Sequence, residues 1–221
     1  MQEPMKVVVV ASGELEGSDV AWLEDADLVI AADGGAGSLD RLGRRPDLLV
    51  GDLDSVDALL VDRLGAGGTR VERHPIDKGA SDTELAVAAA FDAGGTAVVL
   101  LGAIGGERLD HELANLLLLA DAALAGRDLR AVRGGTCVRA VHPGERMVLG
   151  GSVGDLVTLL PVGGNVGGVT TEGLRWPLDA AKLEMGRSRG LSNEVISTPA
   201  SVQISEGSLL VVETAWRGHD S

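Results

Sequence analysis

The run Met5–Val10, Met-Lys-Val-Val-Val-Val, constrains this chain most. It carries no polar alternation, the pattern of a strand buried on both faces, and such strands occur in parallel sheets covered by helices on both sides. The same signal returns at Asp27–Ala32, Leu48–Val50 and Thr96–Leu101. Helical patterns lie between these runs, at Gly37–Leu42, Val56–Leu64, Thr83–Ala93 and Leu109–Ala125, each ended by Gly or a Gly pair nearby. Strands alternating with helices over about 130 residues predict an α/β sheet with mainly right-handed crossovers. Ligands in such sheets sit beyond the carboxyl ends of the strands.

After Arg133 the pattern changes to short strands with Gly-rich punctuation: Cys137–Val141, Arg146–Leu149, Leu156–Leu160, Gly168–Thr171, Lys182–Met185, Val202–Ser205 and Leu209–Thr214. No helix-length periodic run intervenes, so an all-β sandwich or small barrel is expected there. The expected fold class is therefore α/β, with an N-terminal mainly parallel sheet with flanking helices plus a C-terminal all-β sandwich domain. The boundary falls at Gly134-Gly135, giving domains 1–134 and 135–221. With one Phe, three Trp and no Tyr, the cores must be built from Val, Leu and Ala. The single cysteine, Cys137, excludes an intramolecular disulfide and reads as strand packing.

The formal net charge of -14 argues against a broad surface for nucleic acid or anionic membrane, because both would be repelled. No basic leader precedes Val7–Ala11, and no apolar run approaches the ~18 residues of a membrane span, so a cytoplasmic setting is expected. An acidic protein still binds a polyphosphate if a divalent metal and a few Arg or Lys residues neutralise the contact.

Four polar clusters fall where the strands of the first domain end. Asp33-Gly34-Gly35 pairs a carboxylate with glycines that let backbone approach a ligand and open a helix. Gly51-Asp52-Leu53-Asp54-Ser55 places two carboxylates just past a buried strand, an oxygen-rich set that suits Mg²⁺ held also by substrate phosphates; Asp54 or Ser55 capping the next helix is the competing reading. The third cluster runs from His74 through Asp77-Lys78-Gly79 to Ser81-Asp82-Thr83-Glu84. Ser81 and Glu84 form a capping box there, with Asp82 in the first turn, where a negative charge is favourable. The fourth holds Gly105-Gly106, Arg108 with a planar fork for phosphate oxygens, and His111 and Asn115 four apart on one helical face. The chain lacks both Gly-x-Gly-x-x-Gly and the Walker glycine-lysine loop, so it matches neither the dinucleotide fold nor the P-loop kinases.

Taken in order, Asp33-Gly34-Gly35, Gly51-Asp52-Leu53-Asp54-Ser55, Asp77-Lys78 through Ser81-Asp82, and Gly105-Gly106 through Arg108-Leu109-Asp110-His111 to Asn115 resemble the successive motifs of the thiamine pyrophosphokinase family. Gly173-Leu174-Arg175-Trp176-Pro177-Leu178 and Gly190-Leu191-Ser192-Asn193-Glu194 are similar to that family's thiamine-contacting segments. The resemblance implies transfer of a diphosphoryl group from ATP to the hydroxyl of thiamine, giving thiamine diphosphate and AMP, with Mg²⁺ and a homodimer whose sites lie between subunits. It places Asp33, Asp52, Asp54 and Asp82 around metal and triphosphate. Lys78, Arg108, Asp110 and His111 fall near the nucleotide on the same resemblance, with Gly34, Gly35, Ser55 and Asn115 beside them, and Trp176, Ser192 and Asn193 near thiamine; Asp82, by its position beside Lys78, is the candidate for orienting or deprotonating the hydroxyl, with Lys78 and Arg108 at the chemistry. Trp176 would offer a π face to a cationic thiazolium, or else sits in a core; Ser192 and Asn193 would read an aminopyrimidine, or else make a turn. Two departures stand out. Gly79 occupies a position where the family often has an acidic residue, with Ser81 for its usual Thr, and Glu107 is an extra residue before Arg108. A diphosphokinase for another hydroxymethyl heterocycle, such as a pterin, and a non-catalytic nucleotide or thiamine sensor are the alternatives.

Overall fold

The computed structural model describes residues 4–75, 77 and 79–215. The chain divides into two compact units, Met1–Leu118 with Arg127–Gly134, and Leu119–Gly126 with Gly135–Ser221.

The first unit is α/β. Its strands are β1 (Lys6–Val10), β2 (Leu28–Ala32), β3 (Leu48–Gly51), β4 (Arg70–Arg73), β5 (Ala97–Leu101) and β6 (Asp128–Arg133), and its helices are α1 (Val20–Glu24), α2 (Gly35–Arg41), α3 (Ala58–Ala66), α4 (Asp82–Asp92) and α5 (Leu109–Leu118). The strands pair in parallel in the order β4-β3-β2-β1-β5-β6, with Val8 facing Val29 on one side and Val99 on the other. Val7, Val9 and Val10 are wholly buried, each worth roughly 1.5–3 kcal/mol of apolar burial. Helix α4 packs against β1, β2 and β3, and α2 against β1 and β2. A Cβ on Gly35 would stand 1.9 Å from the Val10 carbonyl oxygen, so α2 lies against β1 only because residue 35 has no side chain.

Sequence periodicity misses β4 and β6. Both carry charge along the strand, Arg-Val-Glu-Arg and Asp-Leu-Arg-Ala-Val-Arg, so neither shows the apolar run that marks the inner strands. Helix α5 stops at Leu118 rather than running to Ala125; Asp121 then caps a separate 3-10 turn at Ala122–Leu124 by accepting from Ala123 N at 2.9 Å.

The second unit is all-β: β7 (Thr136–Val141), β8 (Arg146–Val148), β9 (Leu156–Glu172), β10 (Ala181–Leu183), β11 (Asn193–Glu194), β12 (Ser201–Gln203) and β13 (Glu206–Thr214). The two segments expected at Leu156–Leu160 and Gly168–Thr171 are one strand. Glycines 163, 164, 167 and 168 read as turns, yet they form an irregularity within β9. Ser208 faces Val162 and Glu206 faces Gly167, so four residues of β9 stand opposite the single Gly207 of β13. The first half of β9 pairs with β13 and β11 and the second half with β12 and β10, so this strand passes from one layer to the other. Val157, Leu159, Val166, Val169, Val202, Leu209 and Val211 meet in the core between them. Among the described residues no helix is long and apolar enough to cross a membrane.

Candidate active site

The strand order of the first unit reverses between β1 and β5, and a crevice opens outside the carboxyl ends of the strands there. It is a cleft of about 640 Å³ lined by Ala11–Glu14 after β1, Asp33 after β2, Asp52, Asp54 and Ser55 after β3, Asp82 and Thr83 at the start of α4, and Gly102, Ala103 and Gly106–Arg108 after β5, with His111, Glu112 and Asn115 from α5. Two close contacts shape the floor. The β1–β5 ladder continues past both strands, Ala11 N donating to Leu101 O at 2.8 Å and Gly13 N to Gly102 O at 2.9 Å.

At the centre, carboxylate oxygens of Asp33, Asp52 and Asp82 all lie within 4.8 Å of one another. Three strand-end or helix-start positions converge on this point, and the backbone is strained to allow it: Asp33 and Leu53 are left-handed at φ 44 and 63. Gly51, at φ 154, sits between the carboxylates. A Cβ there would stand 3.0 Å from Asp82 Oδ1 and 3.1 Å from Asp33 Cβ.

Ser55 donates a short hydrogen bond to Asp33 Oδ2, while the buried Asp33 Oδ1 has no hydrogen-bond partner among the described residues. A buried carboxylate oxygen without a donor is costly unless a cation faces it, and an all-oxygen set is what a hard divalent cation takes. The residues therefore fit Mg²⁺, with Asp33, Asp52 and Asp82 as the group that would hold it. Asp54 lines the same cleft but is not one of that trio. It is exposed, its N–H donates to Asp52 Oδ1 at 3.1 Å, and the Asp52 charge, followed by desolvation, pushes its carboxyl above the usual range.

The capping alternative for the Asp52–Ser55 stretch fails on geometry. Helix α3 is capped by Asp57, whose Oδ1 accepts from Leu59 N at 3.0 Å, so Asp52, Asp54 and Ser55 face the cleft instead of a helix end. Ser81 and Glu84 form the expected capping box, with Ser81 N donating to Glu84 Oε2 at 2.6 Å and Glu84 N to Ser81 Oγ at 3.2 Å. That box fixes the first turn of α4 and so the position of Asp82.

Other expected site residues have different surroundings. Gly34 and Gly35 do not line the cleft: a Cβ on Gly34 would press on Ser12 Oγ at 2.9 Å, and Gly35 seats α2 on β1. Arg108 and His111 line the cleft, but the Arg108 fork is held by Asp110 through two hydrogen bonds of 2.9 and 2.6 Å. That guanidinium holds the Asp110 carboxyl far below the usual carboxylate range. Asn115 is buried and donates to Ala103 O at 3.4 Å, and Glu112 accepts from Gly105 N at 3.0 Å, so α5 ties down the loop after β5. Glu107 lines the cleft, and among the described residues nothing lies within 4 Å of a Cβ built on Gly79. Lys78 lies outside the described residues. The segment Ala11–Glu14 escaped sequence reading; the only cue was Gly13 a few residues past the first buried strand.

In the second unit, Trp176 is 58% exposed, which excludes a core role. Ser192 is exposed and left-handed at φ 55. Asn193 is buried and turns both ends of its amide onto the backbone of Trp176.

Two family models match this chain in order: the thiamin pyrophosphokinase catalytic domain over residues 21–130 and the thiamin pyrophosphokinase vitamin B1 binding domain over residues 147–209. The chain belongs to the thiamin pyrophosphokinase family. It is 29% identical over 226 residues to thiamine pyrophosphokinase 3 of Oryza sativa subsp. japonica, covering 88% of this chain and 80% of that one. The crystal structure of thiamin pyrophosphokinase from Geobacillus thermodenitrificans superimposes with a TM-score of 0.79 at 27% identity, over 97% of this chain and 99% of that one. The thiamine pyrophosphokinase structure from Bacillus subtilis, at 22% identity and a TM-score of 0.80 over 96% and 99% of the two chains, matches in fold. The family's catalytic model spans the acidic trio, and its vitamin-binding model spans Trp176, Ser192 and Asn193.

Proposed function

We propose that this protein is an ATP-dependent thiamine diphosphokinase, making thiamine diphosphate and AMP from thiamine and ATP. The observation that carries the reading is the Asp33, Asp52 and Asp82 trio at the strand-order reversal of a chain that matches both family models.

The thiamine hydroxyl oxygen attacks the β-phosphorus of ATP, a bond forms between them, the bond from that phosphorus to the bridging oxygen of AMP breaks, and AMP leaves. Such transfers need alignment and charge neutralisation more than covalent help from the protein. Mg²⁺ bound by Asp33, Asp52 and Asp82 would supply positive charge for the triphosphate oxygens. Ser55 holds Asp33 through Oδ2 and leaves Oδ1 without a hydrogen-bond partner among the described residues. Asp82 is the residue proposed to orient the acceptor hydroxyl and take its proton, fixed in place by the capping box at Ser81. Arg108 binds phosphate oxygens by exchanging Asp110 for them; both side chains are about two-thirds exposed, so that ion pair is worth little and yields readily. Asp54 lines the same cleft, and Lys78 keeps the place near the nucleotide that the resemblance implies. Trp176 presents its ring to the thiazolium. The reading includes, on the family resemblance, a homodimer with sites between subunits and a cytoplasmic location.

Incubation with ATP and Mg²⁺ plus either thiamine or a hydroxymethylpterin tests the substrate. Diphosphorylation of thiamine alone is expected. Diphosphorylation of the pterin alone would overturn the assignment, and binding of ATP and thiamine without any turnover would favour a sensor.

A further inference from the structure

Residues 173–176 and 193–196 run antiparallel. Leu174 bridges to Val195, Arg175 N donates to Glu194 O at 2.9 Å, and Ile196 N donates to Gly173 O at 2.8 Å. The side chains of Arg175 and Glu194 reinforce this with a two-pronged ion pair, both contacts 2.8 Å. The next rung falls between Trp176 and Asn193. The Asn193 backbone is committed on another edge, where it faces Val157 of β9, and the chain turns sharply just before it at left-handed Ser192, whose N–H donates to Thr158 Oγ1 at 3.0 Å.

The Asn193 side chain makes the missing rung. Its Oδ1 accepts from Trp176 N at 3.1 Å and its Nδ2 donates to Trp176 O at 2.8 Å, while Oδ1 also accepts from Glu194 N at 2.9 Å. One amide thus stands in for a backbone peptide, donor and acceptor together. The amide is buried, whereas the indole it anchors is mostly exposed. Among the described residues no other hydrogen bond reaches Trp176.

We infer that Asn193 is a positioning residue that acts on the acceptor through Trp176, holding the indole where it meets the substrate rather than reading the aminopyrimidine itself. This rests on the proposed thiamine diphosphokinase reading. The geometry explains why the position needs an amide of this length. Aspartate keeps the acceptor but sets a carboxylate against the Trp176 carbonyl, and glutamine has both groups one methylene too far out.

The test uses the full chain with Trp22→Phe and Trp216→Phe, so that Trp176 is the remaining indole. Without any substrate, Asn193→Ala and Asn193→Asp are expected to lower the fluorescence anisotropy of Trp176 and to change its quenching by acrylamide; unchanged anisotropy and quenching would overturn the inference. In the otherwise native chain, Asn193→Ala should raise the thiamine KM by roughly two- to thirty-fold, the range spanned by an aromatic face on a cation. Its effect on kcat should be smaller, and the KM for ATP should stay the same. In a Trp176→Ala background the Asn193→Ala effect should vanish; a full effect there would mean direct contact with substrate and would overturn the inference. If the native protein turns over no thiamine, the functional reading fails, and the anisotropy measurement still decides the clamp.

Discussion

Replacing Gly51 with alanine tests the acidic centre by adding one methyl group. The new Cβ would lie 3.0 Å from Asp82 Oδ1, 3.1 Å from Asp33 Cβ and 3.3 Å from Asp33 Cα. All three distances are below ordinary van der Waals contact, so two of the trio's three carboxylates must shift by a few tenths of an ångström. Residue 51 also sits at φ 154, a conformation that costs a non-glycine residue about 1–3 kcal/mol. The backbone cost alone would lower stability without touching the site. Gly43→Ala supplies the control, because Gly43 is at φ 65 with nothing among the described residues within 4 Å of its added Cβ. The expected outcome is that both variants lose about 1–3 kcal/mol in urea unfolding, while only Gly51→Ala loses Mg²⁺ affinity, by about tenfold or more in calorimetric titration. Native-like Mg²⁺ binding and turnover in Gly51→Ala would refute the argument that this glycine keeps open the space between Asp33 and Asp82.

Asp52→Asn should lower turnover about 100- to 1,000-fold, the scale of losing one charge that stabilises a transition state, with an unchanged circular dichroism spectrum; normal rates would remove Asp52 from the metal group. Glu194 provides a pH test. The Arg175 fork holds its carboxyl below the usual range, so the pair stabilises the fold above the ordinary glutamate value, and that stability is lost as pH falls through the lowered folded-state value. Glu194→Gln should therefore be less stable than the native chain at neutral pH and approach it in acid. A gap in unfolding midpoint that stays constant with pH would contradict this.

Much of the first unit was legible because its inner strands have no polar face: Val7–Val10, Leu28–Ala32 and Ala97–Leu101 announce themselves by composition. The strands that carry Arg70, Glu72, Asp128 and Arg130 did not, since their alternating charges look like loop. In the second unit the glycines of β9 misled for a related reason. A glycine pair signals a turn in an average chain, whereas here Gly163 and Gly168 provide the positive φ of a wide irregularity inside one strand. The carboxylates of the site were visible as clusters past strand ends. What separated Asp33, Asp52 and Asp82 from Asp54 was not, because residues up to 49 positions distant (33 against 82) meet only once the strands are aligned. Asn193 shows the same limit: its residue type suits substrate recognition and backbone mimicry equally, and only the bonds to Trp176 decide between them.

The central claim is attack at the β-phosphorus of ATP by the thiamine hydroxyl. It is tested most directly by following ATP labelled on its γ-phosphate through one turnover with thiamine and Mg²⁺. The account predicts the label in thiamine diphosphate, with unlabelled AMP in equal amount. Label in thiamine monophosphate, with ADP as the other product, would contradict it.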